Sequence, residues 1–224
     1  MQLRSSKRIL FYFFLIIFLS SLNNKYFFKI GLEPIDKIKI IGLEEAEMQD
    51  LLDNFKLLNL KNIFFLNKFE IIKKIESNRL VENYSVFKKY PSSLEVRIDK
   101  TKFLANIFKD GKSFVLGSNG KLIQTTNRNN NLPNIFGDYD KASFFNLLKF
   151  IKKSNFKLSD IKDLYFFKSG RWDIKTDQNV IIKLPKKNLE ESLNLSLTIL
   201  NNNEFKNIKI LDLRQEKQVV VNGE

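Results

Sequence analysis

Polar and hydrophobic residues alternate along RWDIKTDQNVIIKLP (171–185). Trp172, Ile174 and Thr176 fall on one side of an extended chain, and Arg171, Asp173, Lys175 and Asp177 fall on the other. Val180, Ile182 and Leu184 repeat the pattern after TDQN, and DLYFFK precedes it across a Ser169-Gly170 turn. Period-two alternation bounded by turn residues predicts a three-stranded meander. Leu189, Leu193, Leu197 and Leu200, spaced by four, four and three, predict a helix, and the inner strand residues are expected to pack on it. Asp173 and Lys175 then lie on a solvated face. A single Trp on such a strand reads as core rather than as catalytic machinery.

The first half changes period. A strand over Lys37–Ile41 is followed by a helix with Met48, Leu51, Leu52 and Phe55 on one face, its early turns rich in Glu. A second helix over Lys68–Ser77 points Phe69, Ile72 and Ile75 inward. SVFKKY and SLEVRID, parted by Pro91-Ser92, predict two strands, with Leu94, Val96 and Ile98 inward and Glu95, Arg97 and Asp99 outward. The order β-α-α-β-β predicts an α+β layer pair. Beyond it come a hairpin with Asn119-Gly120 at its tip, a polar loop, and a helix capped by Asp140 with Phe144, Leu148 and Ile151 on one face. NIKILDLR and KQVVV close the chain as extended runs. The second half is thus a β-rich mixed domain with a sheet and two helices.

The first thirty residues obey neither period. Arg4, Lys7 and Arg8 precede an apolar run, Ile9–Leu22, which is about 21 Å long as a helix against roughly 30 Å of hydrocarbon. Such a length suits a cleaved signal, but Leu19 and Ser21 make a poor peptidase site. Tyr26, Phe27 and Phe28 extend the run to 20 residues if Lys25 snorkels outward. The expectation is a cytoplasmic tail (1–8), a single-pass anchor (9–28) marked by Ile9, Phe14, Ile17 and Leu22, and a linker (29–36). Two domains, 37–104 and 105–224, would follow outside the cytoplasm.

Composition narrows the chemistry. A net charge of +13 points to nucleic acid or anionic surfaces, yet only seven of the 38 basic residues are Arg. Lysine is the weaker residue for bidentate recognition, so nucleic acid is not an expected partner. Without Arg4, Lys7 and Arg8 the rest still carries net +10, enough for salt-sensitive adhesion to anionic lipid or wall polymer. There is no cysteine and no histidine, which removes thiolate chemistry, the commonest general base and the commonest metal ligand. Carboxylates such as Asp138, Asp140 and Asp163 remain for an enzyme, but their spacing indicates no paired site. No cofactor is implied.

VFKKYPSSLEVRIDKTKFLANI (86–107) resembles the end of a POTRA domain, and too few residues follow for an outer-membrane barrel. With FVLGSNGKLIQ, LPNIFG (132–137), RWDIKTDQNVIIKLP and ILDLR (210–214), taken in that order, the whole chain resembles the bacterial cell-division family FtsQ/DivIB. The resemblance implies a non-enzymatic inner-membrane divisome protein with its N-terminus in the cytoplasm, acting at the septum. Its implied partners are the bitopic proteins FtsB and FtsL, with FtsK and the FtsW–FtsI synthase also in view, and its implied role is regulation of septal peptidoglycan synthesis. Gln215 departs from relatives that carry an aromatic there. The alternative is an envelope POTRA protein acting in secretion or outer-membrane assembly.

The closing strand offers a mechanism on physical grounds alone. A last strand often lies at a sheet edge, where unpaired N–H and C=O groups can accept a partner strand. Val219, Val220 and Val221 suit such pairing, and Arg214 could grip a partner carboxylate beside Gln215. The competing reading is a strand paired within its own sheet, with Lys217 guarding the edge.

Overall fold

The computed structural model describes residues 3–22, 34–56, 58, 61–126, 129–205, 207–215 and 218–223. The chain divides into two compact units, residues 1–100 and 101–224. Helix α1 (Leu3–Leu22) carries the apolar run, and its side chains from Ile9 to Leu19 are all exposed. Among the described residues no helix is long and apolar enough to cross a membrane. The expected continuation to Phe28 lies outside the described residues.

In the first unit, β1 (Lys37–Ile41), α2 (Glu45–Phe55), α3 (Lys68–Ser77), β2 (Val81–Lys89) and β3 (Ser93–Lys100) follow the expected order. The sheet runs β1-β3-β2, with β1 parallel and β2 antiparallel to β3. Leu51 and Phe55 of α2 and Ile71 and Ile75 of α3 meet Ile40, Leu94, Val96 and Ile98 in one core. Gly42 turns the chain out of β1 at φ +105, and a Cβ there would stand 1.9 Å from the Ile98 carbonyl oxygen, so only glycine fits. Ile35 is already buried in this core, so the unit takes in the last residues of the expected linker.

Two expected facings in this unit are corrected. Phe69 is 80% exposed and Ile71 is buried instead, because Asn67 caps α3 by accepting from the Phe69 N–H and sets the helix phase. Glu95 has outward parity but is buried beneath its own ion pairs. Lys89 Nζ lies at 2.8 Å, and Arg97, which also covers the Phe87 ring, lies at 2.8 Å. Those two cations hold the Glu95 carboxyl below its ordinary range, Lys89 contributing most.

The second unit is one nine-stranded mixed sheet, ordered β12-β11-β10-β9-β8-β7-β4-β5-β6. Its strands are β4 (Phe103–Lys109), β5 (Lys112–Gly117), β6 (Leu122–Gln124), β7 (Asn134–Phe136), β8 (Ile161–Phe166), β9 (Trp172–Thr176), β10 (Ile181–Lys183), β11 (Ile208–Asp212) and β12 (Val220–Gly223). The unit therefore opens a few residues before the expected boundary at 105. Helix α4 (Lys141–Lys153) crosses between parallel β7 and β8, and α5 (Leu189–Leu200) between parallel β10 and β11. Asp140 caps α4 by accepting from the Ser143 N–H at 2.8 Å, as expected from its position.

The register places one apolar residue from every strand but β6 in a continuous row: Phe114, Ile107, Ile135, Leu164, Ile174, Ile182, Leu211 and Val221. That row, with Phe144, Leu147, Leu148 and Ile151 of α4 and Leu189 and Leu193 of α5, forms the core. Each fully buried side chain contributes on the order of 1.5–3 kcal/mol, so the row binds β12 to the distant β5 through a common hydrophobic layer. Trp172 is core, as expected, in one cluster with Leu189 and Leu193 of α5, and its direct contacts come from α4, from Tyr139 just before that helix and from β8. Its Nε1–H donates to Ser143 Oγ at 2.9 Å, and the rings of Phe166, Tyr139 and Phe144 surround it. Burial pushes the Tyr139 hydroxyl up to about 12. Asp173 is not solvated as its parity implied. It is buried, Arg171 Nε donates to it at 3.0 Å, and burial raises its pKa against the opposing pull of Arg171.

Candidate docking edge

One residue along from the apolar row, the sheet presents a second row on its other face: Phe136, Tyr165, Asp173, Lys183, Asp212 and Val220. The row begins with stacked Phe136 and Tyr165 rings, 5.2 Å apart, passes through alternating charges and ends on the valine of β12. Strand β12 pairs with β11 antiparallel and is the terminal strand of the sheet, with no second neighbour among the described strands. Its outer flank is therefore an edge.

Val221 leans into the core, whereas Val220 is 52% exposed and Val219, which lies just before the strand, is 40% exposed. The last strand starts three residues later than the KQVVV run implied and ends on Asn222 and Gly223, because Leu211 opposite Val221 sets the register. Arg214 and Gln215 are exposed beyond the end of β11, and Lys217 lies outside the described residues. Arg214 points away from the core as its parity required, but it is not waiting for a carboxylate. Its Nε donates to both oxygens of Asp212, at 2.8 and 2.9 Å, and its backbone N–H to Oδ1 at 3.1 Å. The pairing lowers the Asp212 pKa and raises that of Arg214.

Beside this edge opens a groove of about 710 Å³ between α5 and the segment joining β11 to β12. Lys186, Lys187, Glu191, Leu195, Gln218 and Val219 line it in part. The sequence reading missed the groove. Its one local signal was Leu195, a leucine off the stripe that α5 buries, and it is 43% exposed.

The carboxylates considered for catalysis are dispersed. Asp140 caps a helix, and Asp163 is buried and accepts from Asn134 Nδ2 at 2.8 Å. Asp138 is exposed. Among the described residues no His, Cys, Asp or Glu cluster could hold a metal ion.

Residues 33–100 match the family model "POTRA domain, FtsQ-type", and residues 105–214 match "Cell division protein FtsQ/DivIB, C-terminal". The chain belongs to the FtsQ/DivIB family. This FtsQ/DivIB chain is similar to cell division protein DivIB of Clostridium botulinum (strain Loch Maree / Type A3). The two are 25% identical over 92% of the chain and 87% of the relative. Cell division protein FtsQ of Rickettsia bellii (strain RML369-C) is 23% identical over 83% of the chain and 72% of its own length. The solved extracytoplasmic domain of DivIB from Geobacillus stearothermophilus covers 46% of the chain and 92% of that domain, at 13% identity and a TM-score of 0.36, too low to carry weight. Both units of the FtsQ/DivIB chain thus match one family of cell-division proteins, and the reading as a secretion or outer-membrane-assembly POTRA protein loses its footing.

Proposed function

We propose that this FtsQ/DivIB chain is a non-enzymatic, single-pass inner-membrane component of the divisome that docks bitopic partners of the FtsB and FtsL type by strand addition to β12. Through them it helps regulate septal peptidoglycan synthesis by an FtsW–FtsI-type synthase, and FtsK is a further candidate partner at the septum. The supporting observation is the vacant flank of β12 beside exposed Val219 and Val220. A partner strand would complete the ladder there, and the adjoining groove would take side chains or a short helix that continues from it. Arg214, held by Asp212, presents a fixed guanidinium at the rim of the groove beside Gln215. Such a preset geometry lowers the ordering cost of binding.

Anchoring rests on α1. The stretch Ile9–Leu19 within it is hydrophobic on every side and favours a nonpolar surrounding, and Ile9, Phe14 and Ile17 are 69%, 62% and 48% exposed. Leu22 closes that helix. Arg4, Lys7 and Arg8 would keep its start in the cytoplasm.

The test is a proline scan at Val219, Val220 and Val221 with pull-down of an FtsB-like partner. Outward and inward N–H groups alternate along a strand, so at least one variant removes an outward donor while leaving the β11 ladder intact. That variant should keep its fold and lose the partner. Undiminished pull-down by every folded member of the scan would dismiss strand addition.

A further inference from the structure

Phe69 and Phe65, at 80% and 79%, are the most exposed large hydrophobic side chains among the described residues, and four positions separate them in the sequence. Asn67 Oδ1 accepts from the Phe69 N–H, which fixes the loop before α3, and Lys88 Nζ donates to the Leu66 carbonyl from the end of β2. Tyr90, 60% exposed at the β2–β3 turn, lies against Phe64 with ring centroids 4.7 Å apart. Single exposed hydrophobics are ordinary, but four exposed aromatics on two short segments, 64–69 and the end of the β2–β3 turn, joined by the Phe64–Tyr90 contact and the Lys88–Leu66 hydrogen bond, are not.

The chain enters the first unit beside these two segments. Pro34 bridges Asn62, the Ile35 N–H donates to the Lys61 carbonyl at 3.0 Å, and Ser92 Oγ donates to Asp36 at 2.9 Å. Residues 34–36 are therefore held directly beside the segments that carry Phe64, Phe65 and Tyr90. Only eleven residues, 23–33, connect this point to Leu22, and fully extended they reach no more than about 40 Å. Charge agrees with the placement. Within 61–69 and 87–92 every charged side chain is a lysine: Lys61, Lys68, Lys88 and Lys89. Lys61 pairs with Glu70 and Lys89 with Glu95, so the net positive charge of these segments rests on Lys68 and Lys88.

We infer that Phe64, Phe65, Phe69 and Tyr90, rimmed by these lysines, seat the first unit on the anionic headgroup interface of the bilayer that holds α1. Aromatic rings settle at that depth, and lysines nearby meet lipid phosphates. The inference rests on the proposed anchor, and it turns a tether into a seat of fixed orientation.

Because the chain holds no cysteine, single variants Phe65→Cys, Phe69→Cys and Glu45→Cys each carry one nitroxide. Glu45 is exposed at the opposite end of the sheet, where Lys100 reaches Glu47 at 2.6 Å. The full chain is reconstituted in vesicles of phosphatidylethanolamine and phosphatidylglycerol. Labels at 65 and 69 should then show an oxygen-to-nickel-chelate accessibility ratio severalfold above the label at 45. Equal ratios at all three positions overturn the inference. So do labels at 65 and 69 that are shielded in native membranes but not in vesicles holding this chain alone, since another protein then covers the patch. Carbonate extraction separates the two readings. A chain stripped from the vesicles defeats the anchor and the seat together, whereas a chain that stays while 65 and 69 remain in water defeats the seat alone.

Discussion

Val220 separates docking from folding because it stands opposite Asp212 on the exposed face of the β11–β12 pair. Replacing it with Asp sets two carboxylates across the ladder, with Cβ atoms about 5 Å apart. In water their repulsion is about 0.8 kcal/mol, and Arg214, 2.8 Å from Asp212, offsets part of that. Val220→Lys reverses the sign, because its ammonium can reach Asp212 and gain up to about 0.5 kcal/mol, as surface pairs do. The two variants should therefore bracket the wild-type melting temperature closely. Docking responds differently. A partner strand paired along β12 would set its own side chains beside position 220, and desolvating a charge there, even one paired with Asp212, costs about 2 kcal/mol, roughly thirtyfold in Kd. Both variants should lose that much affinity for a purified FtsB-like partner by titration calorimetry, while near-isosteric Val220→Thr stays close to wild type. If Val220→Lys bound as the wild type does, or if affinity merely followed melting temperature, the edge would not be where the partner lies.

Three further outcomes follow from the packing and the charges. Asp140→Ala removes the cap of α4 and should cost about 1 kcal/mol in denaturant unfolding. Gly137→Ala should cost well above 1 kcal/mol or prevent folding, because φ is +97 and the new Cβ would stand 2.2 Å from the Phe166 carbonyl oxygen. The two buried or paired aspartates should impose opposite pH dependences on unfolding. The Asp212 pKa is lowered, so its contribution is present above its ordinary value and fades as pH falls through the lowered one. The Asp173 pKa is raised, so it favours folding at low pH and loses that contribution as pH rises from its ordinary value through the raised one. Asp173→Asn should flatten the second trend and Asp212→Asn the first, as read from denaturant midpoints across acid pH.

Much of this fold is legible in local pattern. Alternation locates β8, β9 and β10, leucine spacing locates α5, and the two helices with three strands of the first unit need only periodicity and Pro91-Ser92. Parity fails where long cations fold over a carboxylate. Glu95 and Asp173 have outward positions yet are buried, because Lys89, Arg97 and Arg171 cover them while keeping their own charges near water. The parallel contacts of β7 with β4 and β8, and of β10 with β11, join segments far apart in the chain and leave no local trace. The sequence left the closing strand open between a sheet edge and an inner position, and the strand order leaves β12 last among the described strands. The groove under α5 was not foreseeable, because it forms only once β11 and β12 lie beside that helix.

Amide hydrogen exchange across β12, with and without an FtsB-like partner, tests docking most directly. The outward amides of 219–223 should exchange readily in the free chain, while those bonded to β11 resist. On adding the partner the outward set should slow markedly, together with the groove segment 186–195. Unchanged exchange at 219–223, with protection appearing on another surface of the chain, would contradict strand addition at this edge.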